Sequence, residues 1–423
     1  MSTIPGPRSH QLGESLRKWE SRGVTYLASD FPIFWQSAQG SRVVDADGNT
    51  YIDFTAAFGA ASVGHSNAVV VSAIQEQAAA LMHAMGDVHP PAIRVRLLEK
   101  LAQIAPGDLS KTYLCSTGSE AIEAALKTAL LCNGKPGVIA FNGCYHGLSL
   151  GALEVCGLPR FRQPFADALK GRTLFVDYPR RERSESLARA MAALSHALAR
   201  RKDIGALVVE PILGRGGVIV PPDGFLRELR HFCDEHRIVL IFDEILTGFG
   251  RTGTFFASQH ESVVPDVLCL GKAIANGFPI SAAVGKPQIM DAWPPSQGEA
   301  LHTSTYLGNP MGCAAALATI GQIEHLDLPR AVQGMGATLE TRLQALRQHR
   351  QVIDVRGRGL LWGIEFESAG SAESLVRRAL SRGLILSQQG TVVSITPPLT
   401  IETDLLESGL NIVFSLLEDP VIA

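Results

Sequence analysis

Short, wholly apolar runs recur between residues 110 and 290, and each run ends in a polar or Gly-rich segment. The clearest of these runs are 137–141, 206–209, 238–242, 267–270 and 281–284. Each has the length of a strand rather than a helix, and an apolar run without alternation is typical of a parallel strand buried on both faces. Between the second and third runs, apolar residues from Phe225 to Cys233 recur at helical spacing. The pattern therefore predicts βαβ units and an α/β fold with a parallel sheet.

The two ends of the chain differ from this middle part. Two β-rich pieces surround the turn Asp45–Asn49, which predicts a hairpin outside the main sheet. From about residue 320, helical stretches flank short β segments at 361–366 and 392–395, as in an α+β domain. We therefore predict three regions, which are residues 1–60, 61–320 and 321–423.

Charge and composition limit the possible partners. The 38 basic and 41 acidic residues give a net charge of −3, which favours neither nucleic acid nor an anionic membrane as a partner. The opening segment lacks the apolar core of a signal peptide, and no apolar run is long enough to span a bilayer. The 7 cysteines are never closely spaced and the 12 histidines are scattered, so we expect no metal site. A cytoplasmic protein that binds a small molecule is expected.

One short motif indicates a different chemistry. Residues 147–151 match the G-x-S-x-G motif of serine hydrolases, with Ser149 as the nucleophile. That motif requires the serine at a sharp turn directly after a strand, whereas residues 142–146 separate it from the apolar run 137–141. A serine hydrolase is therefore the disfavoured alternative.

Polar side chains follow three of the apolar runs, at the strand ends where α/β sheets bind ligands: Glu210, Asp243 and Lys272. A carboxylate at the end of a buried strand needs a cationic partner. An amine among apolar neighbours has a lowered pKa, which favours its neutral, nucleophilic form. A direct salt bridge between Asp243 and Lys272 is the purely structural alternative.

A third element lies upstream, where residues 116–120 lead into an Ala-rich helix. The free N–H groups at such a helix start suit a phosphate, although a plain N-cap explains the same residues. Together, an anion site, a buried carboxylate and a buried amine describe a ligand with a phosphate, a basic ring nitrogen and an aldehyde. Pyridoxal 5'-phosphate (PLP) carries all three groups.

Over nearly its whole length, the sequence resembles the class III (ω-type) PLP-dependent aminotransferases. The matching segments, in order, are STGSEA at 116, YHG at 145, EP at 210, GG at 216, DEILTGFGRTG at 243, GKAIANGFP at 271, TYLGNP at 305, VRGRGL at 355 and PPLTI at 397. The resemblance implies fold type I of the PLP-dependent transferases, with a large domain built on a seven-stranded, mostly parallel sheet. A small α+β domain would then be assembled from both chain ends, which places residues 1–60 in it. It also implies a homodimer with active sites at the interface.

The resemblance further implies roles for individual residues. Lys272 would form the Schiff base with PLP and move the proton during turnover, and Asp243 would keep the ring nitrogen protonated. Tyr145 would stack on one face of the ring and Ile245 would pack on the other, unless both are ordinary core residues. The residues that would hold the cofactor are Gly118, Ser119, Tyr145, Asp243, Ile245, Lys272 and, from the partner subunit, Thr305.

Departures from the family pattern concern the substrate. Leu246 stands where many members that use glutamate have Gln, and Ser394 stands where the family usually has an Arg that pairs with a substrate carboxylate. A hydroxyl cannot replace a bidentate guanidinium. The role of Glu210, which neutralises that Arg in other members, is then open. Arg215 is an alternative cation, unless it is a solvated loop charge.

These features predict an aminotransferase that moves an amino group from an amine or amino acid to a 2-oxo acid, with pyruvate somewhat preferred over 2-oxoglutarate. An aminomutase or an amino-acid racemase shares every motif quoted, because the outcome depends on which acid or base meets the carbanion. A catalytically idle scaffold is a further alternative, which the intact Lys272 and Asp243 disfavour.

Overall fold

The structure is a computed structural model, and it describes residues 4–28, 30–183 and 185–418. The strands of these ranges are β1 (Trp35–Gln39), β2 (Arg42–Asp45), β3 (Thr50–Asp53), β4 (Lys111–Cys115), β5 (Gly137–Phe141), β6 (Thr173–Val176), β7 (Ile204–Val209), β8 (Val239–Asp243), β9 (Val267–Leu270), β10 (Ser281–Gly285), β11 (Val352–Arg358), β12 (Leu361–Phe366), β13 (Leu384–Ile385), β14 (Ser387–Gln389) and β15 (Val392–Ile395). The α-helices are α1 (Pro7–Trp19), α2 (Ala56–Gly59), α3 (Ala68–Ala80), α4 (Ala92–Ile104), α5 (Gly118–Asn133), α6 (Leu150–Glu154), α7 (Pro159–Arg162), α8 (Ser186–Arg200), α9 (Phe225–His236), α10 (Pro287–Met290), α11 (Pro310–His325), α12 (Leu328–Gln344), α13 (Ala369–Ser381) and α14 (Thr403–Glu418). Short 3₁₀ helices form at Gln163–Ala168, Ala257–Glu261, Lys272–Ala275 and Ala345–Gln348.

The main sheet of the described chain has seven strands in the order β4-β10-β9-β8-β7-β5-β6. The strands from β9 to β6 are parallel, and β10 runs antiparallel to both of its neighbours, β4 and β9. The five apolar runs are all strands of this sheet, as predicted. The direction of β10 is a correction, because the apolar run 281–284 was expected to be parallel. All of β10 is buried, and burial on both faces gives the same apolar run in either direction.

Two smaller sheets use the chain ends. The predicted hairpin is confirmed as β2 and β3, and β3 pairs in parallel with β13 from the C-terminal part. The predicted segments 361–366 and 392–395 are β12 and β15, which pair antiparallel in the sheet β11-β12-β15-β14. This pairing of both chain ends agrees with a shared small domain, and the boundaries at residues 60 and 320 stay a prediction.

Helices cover the main sheet because their apolar stripes face it. Helix α9 buries Phe225, Leu229 and Phe232, which recur at helical spacing. Helix α5 is opened by a capping box between Thr117 and Glu120, which fixes where the helix starts. In the described ranges no helix is long and apolar enough to cross a membrane.

Candidate active site

Three neighbouring parallel strands end at the same edge of the sheet and carry the predicted polar residues there. Asp243 is the last residue of β8, Glu210 follows β7, and Lys272 follows β9 after one glycine. The strand β4 has the same direction as β9, because β10 is antiparallel to both, so the start of α5 lies at this edge too. The topology therefore collects the predicted groups at the usual ligand site of an α/β sheet.

Asp243 is buried and hydrogen-bonded on both carboxylate oxygens. The Nδ1 of His146 donates to its Oδ2 at 2.7 Å, and the N–H of Ile245 donates to its Oδ1 at 3.0 Å. Burial alone would lower the pKa of His146, but Cys144 and Asp243 raise it well above its ordinary value. The cationic partner that Asp243 requires is therefore His146, and the sequence had suggested no function for this residue.

Lys272 is half-buried beside this pair, in a left-handed conformation with φ +40°. Burial is the main reason why the pKa of its amine is lowered, although Asp243 and Glu210 act in the opposite direction. No ion pair or hydrogen bond to another described residue engages its Nζ. The salt bridge with Asp243 does not form, and the amine stays available for reaction.

The start of α5 supplies donors without acceptors. The N–H groups of Ser116 and Thr117 donate to the Glu120 carboxylate, whereas those of Gly118 and Ser119 have no acceptor within the described chain. Because the first N–H groups of a helix point out from its end, these two can bind an anion.

Ile245 packs between two glycines of the site. A Cβ on Gly118 would lie only 2.8 Å from Ile245 Cδ1, and one on Gly271 would lie 3.1 Å from its Cγ2. Any larger residue at Gly118 would force the two segments apart. The apolar side chain thus holds the start of α5 against the segment that carries Lys272.

The G-x-S-x-G segment has another role in this arrangement. Ser119 Oγ accepts the N–H of Leu148 at 3.2 Å, and a Cβ on Gly147 would overlap that hydroxyl. Ser149 itself is exposed just before α6, and no described acid or histidine hydrogen-bonds its hydroxyl. Since a nucleophilic serine needs such a base, the geometry gives the hydrolase alternative no support.

Tyr145 and Arg215 form a stack at the edge of the site. The Arg215 guanidinium carbon lies 4.4 Å from the centroid of the Tyr145 ring and 5.3 Å from that of Phe161. Tyr145 is further fixed by its backbone N–H, which donates to Glu210 Oε1 at 2.8 Å. Arg215 is half-buried in this stack, and its role toward the substrate stays a prediction.

The remaining predicted substrate residues fall into two places. Leu246 lies with Glu210, because a Cβ on Gly214 would be 2.3 Å from Leu246 Cδ2 and 3.4 Å from Glu210 Oε2. Ser394 is buried in β15, in register with Ser387 of the neighbouring strand. Glu210 accepts two backbone N–H groups and pairs with no arginine in the described ranges.

Thr305 differs from the other predicted cofactor residues. It is exposed on the segment before α11, near apolar side chains that are exposed as well, such as Leu301 and Tyr306.

The described residues contain no cluster of acidic, histidine and cysteine side chains able to hold a metal ion.

Comparisons with known proteins identify the family. The class-III aminotransferase family matches residues 26–417. The acetylornithine aminotransferase of Methanopyrus kandleri is 38% identical over 386 residues, which cover 90% of this chain and 93% of that protein. These matches show that the chain belongs to the class III aminotransferases, so the expected family is confirmed.

Solved structures agree with this assignment. An amine transaminase from an uncultivated Pseudomonas species, in its PLP-bound form, has a TM-score of 0.88 at 30% identity and covers 94% of this chain and 99% of its own. An (S)-enantioselective ω-transaminase from Thermomicrobium roseum has a TM-score of 0.89 at 27% identity, covering 97% and 99%. The predicted fold type I, the enzyme class and the dependence on PLP are thereby confirmed.

The described residues fit PLP on structural grounds alone. A reactive amine, an oriented carboxylate and two unpaired N–H groups suit its aldehyde, its ring nitrogen and its phosphate.

Sequence reasoning missed His146 and the stacking of Arg215 on Tyr145. For His146 a signal was present, since it directly follows Tyr145 in the YHG segment.

The ionisation of Glu210 provides a test of the site's electrostatics. Burial, opposed by His146 and assisted by Asp243, raises the pKa of Glu210 to about 7. The folded state therefore holds the Glu210 proton more tightly than the unfolded state, in which the pKa is near 4.5. This tighter proton binding stabilises the fold fully below about pH 4.5, and the stabilisation is lost as the pH rises to about 7. We therefore expect Glu210→Gln to gain roughly 1.4 kcal/mol per pH unit relative to the wild type between about pH 5 and 7. Urea unfolding of both proteins across this range measures the difference.

The exposed Glu367 provides the control variant, Glu367→Gln, which removes a carboxylate from the surface. A constant difference in free energy of unfolding between Glu210→Gln and wild type across this range would contradict the burial of an ionisable Glu210.

Proposed function

We propose that this aminotransferase moves an amino group from an amine or amino acid to a 2-oxo acid, with pyruvate preferred somewhat over 2-oxoglutarate. The observation that carries the proposal is the unpaired, desolvated amine of Lys272, next to the paired carboxylate of Asp243. When bound, PLP supplies an aldehyde for the amine and a ring that accepts electrons.

Lys272 is the proposed catalytic residue. Its lowered pKa favours the neutral amine, which would hold the cofactor through its aldehyde and could accept or return a proton at Nζ. The backbone at this residue is left-handed, one glycine after the end of β9. In this assignment Lys272 both attaches the cofactor and transfers the proton.

Asp243 is assigned the ring nitrogen, and His146 positions it. A carboxylate in a site of low dielectric constant stabilises a protonated ring nitrogen strongly. The hydrogen bond from His146 Nδ1 fixes the direction of the carboxylate. His146 therefore acts through Asp243, without a contact of its own to substrate.

The phosphate is assigned to Gly118 and Ser119, whose N–H groups are free, and the ring to the space between Tyr145 and Ile245. Ser119 Oγ already accepts from Leu148, which leaves its own hydroxyl proton for a phosphate oxygen. The close contact between Gly118 and Ile245 supports the assignment of both residues to one ligand.

The preference for pyruvate rests on Leu246 and Ser394. Neither side chain carries a charge, so neither can pair with the second carboxylate of 2-oxoglutarate. Glu210 has no arginine partner in the described chain, which agrees with a site where that arginine is lacking. A monocarboxylic acceptor avoids burying an unpaired charge.

We also propose a homodimer, in which Thr305 of one subunit contributes to the phosphate site of the other. The segments 81–88 and 301–306 expose large apolar side chains, namely Leu81, Met82, Met85, Val88, Leu301 and Tyr306. Exposed apolar patches of this kind are typical of protein–protein interfaces.

All 7 cysteines are free thiols, which agrees with a cytoplasmic protein.

The proposed reaction predicts alanine as a product. Holoenzyme incubated with a panel of amines and amino acids is expected to convert pyruvate to alanine, and to do so faster than it converts 2-oxoglutarate to glutamate. Chromatography of the products with their chirality measures transfer and separates it from isomerisation and racemisation. Fast turnover of 2-oxoglutarate with slow turnover of pyruvate would contradict the acceptor preference.

Lys272→Ala serves as the negative variant, since it is expected to lose several orders of magnitude in rate without the nucleophilic amine. The exposed Lys170 provides a matched control, Lys170→Ala, which is expected to keep the wild-type rate. Normal turnover in Lys272→Ala would overturn the proposed function.

The dimer predicts a mass near twice the 45.3 kDa of one chain in light scattering. A charge introduced by Met85→Asp is expected to dissociate the dimer and weaken PLP retention, because an unpaired charge in an apolar interface is costly. Ile353→Asp, at an exposed apolar residue of β11, is the control and should change neither. A monomeric wild-type protein that retains PLP would refute the proposal.

A further inference from the structure

We propose that Arg215 binds the substrate carboxylate and that the cavity beside it takes an apolar chain, so that the preferred substrates are monocarboxylic acids with an extended apolar side chain. This inference deepens the proposed function and rests on it. The position of Arg215, the lining of the cavity and the charges around it all support this assignment.

Arg215 borders a cavity of about 620 Å³, a size in the usual range for sites that bind small molecules. We call it the Arg215 cavity. Its lining is mostly apolar and aromatic, and it includes Trp35, Thr55, Phe58, Arg215, Leu386 and Gln389. An extended apolar chain therefore gains free energy by entering it.

The Arg215 cavity lies next to the reactive lysine. Ala57 and Phe58 line it, and they belong to α2 (Ala56–Gly59), a single turn in which three consecutive non-glycine residues have positive φ rather than right-handed helical angles. A Cβ on Gly59, at the end of this turn, would lie 3.9 Å from Lys272 Cδ. A substrate whose reacting carbon is at Lys272 can thus extend past this turn into the cavity.

The loop that carries Arg215 has a fixed path. A Cβ on Gly214 would lie 2.3 Å from Leu246 Cδ2, and one on Gly216 would lie 2.5 Å from the carbonyl oxygen of Gly143. These close approaches allow little movement of the backbone on either side of Arg215. The guanidinium is therefore held in position before a ligand binds, which lowers the entropic cost of binding.

Tyr145 and Phe161 flank the guanidinium from one side, because their ring centroids lie 4.4 and 5.3 Å from its carbon and only 5.6 Å from each other. Its hydrogen-bond partner among the described residues is the Gln389 side chain, at 3.5 Å from Nε, and no described carboxylate pairs with it. The two terminal nitrogens keep the geometry that binds a carboxylate in a bidentate manner.

The other two charged lining residues, Arg377 and Glu373, pair with each other at 2.8 Å. Arg377 also lies 2.5 Å from Asp30, which is outside the lining. Arg215 is therefore the one unpaired cation among the described lining residues, and it can pair with a single substrate carboxylate. A dicarboxylic acid would bury a second charge opposite apolar walls, which is unfavourable.

Equilibrium binding to the holoenzyme tests this inference with three non-reacting probes, hexanoate, hexanamide and glutarate. Hexanoate is expected to bind most tightly in titration calorimetry, and Arg215→Ala to weaken its binding at least about tenfold through loss of the bidentate pair. Hexanamide should bind equally to the wild type and to Arg215→Ala.

Steady-state kinetics test the same inference. With 2-oxohexanoate as the amino acceptor, Arg215→Ala should raise KM about tenfold, whereas with hexanal it should change KM less than about twofold.

Arg160 provides a matched control. It also stacks on Phe161 and donates to Gln389 at 3.3 Å, yet it is exposed and lies outside the cavity lining. Arg160→Ala should therefore bind hexanoate as the wild type does. Arg215→Lys, which keeps the charge without the planar fork, should fall between wild type and Arg215→Ala.

Several outcomes would overturn the inference. The first is unchanged hexanoate binding in Arg215→Ala, and the second is an equal loss of hexanoate affinity in Arg215→Ala and Arg160→Ala. The third is tighter binding of glutarate than of hexanoate. The fourth is dissociation of Arg215→Ala into monomers, which would assign the guanidinium to a second copy of the chain. If the purified protein forms no bond between PLP and Lys272, the proposed function itself fails, and this result is separate from the binding data.

Discussion

The buried carboxylate of Asp243 is the group on which the rest of the site depends. It ends the central strand of the main sheet, where an ionised carboxylate is stable only when it is paired and hydrogen-bonded. His146 and the N–H of Ile245 provide these contacts, one on each oxygen. The same two contacts direct the carboxylate, so they determine where a basic ring nitrogen can bind.

Ile245 extends this constraint to the neighbouring segments. It follows Asp243 by two residues and touches the places where Gly118 and Gly271 lack a side chain. The start of α5, the end of β8 and the segment of Lys272 therefore pack as one unit. The groups assigned to the phosphate, the ring nitrogen and the aldehyde keep their mutual positions because one apolar side chain separates them.

The sequence predicts the parts of this site that depend on local pattern. Apolar runs of strand length identify the main sheet, and the polar residues directly after them predict Asp243 and Lys272 as candidate site residues. His146 is 97 positions from its partner Asp243, and Arg215 is 70 positions from Tyr145, so a linear pattern cannot show that they meet. The direction of β10 was missed for a related reason, since apolar composition reports burial and not orientation.

The central claim is that Lys272, among the amines of the chain, is the one that reacts with PLP. Borohydride reduction of the holoenzyme, followed by mass spectrometry of its peptides, tests this most directly, because reduction makes the bond between PLP and an amine permanent. The predicted result is one pyridoxyl group per chain, on the peptide that contains Lys272. A label on another lysine, or none after reconstitution with PLP, would contradict the account.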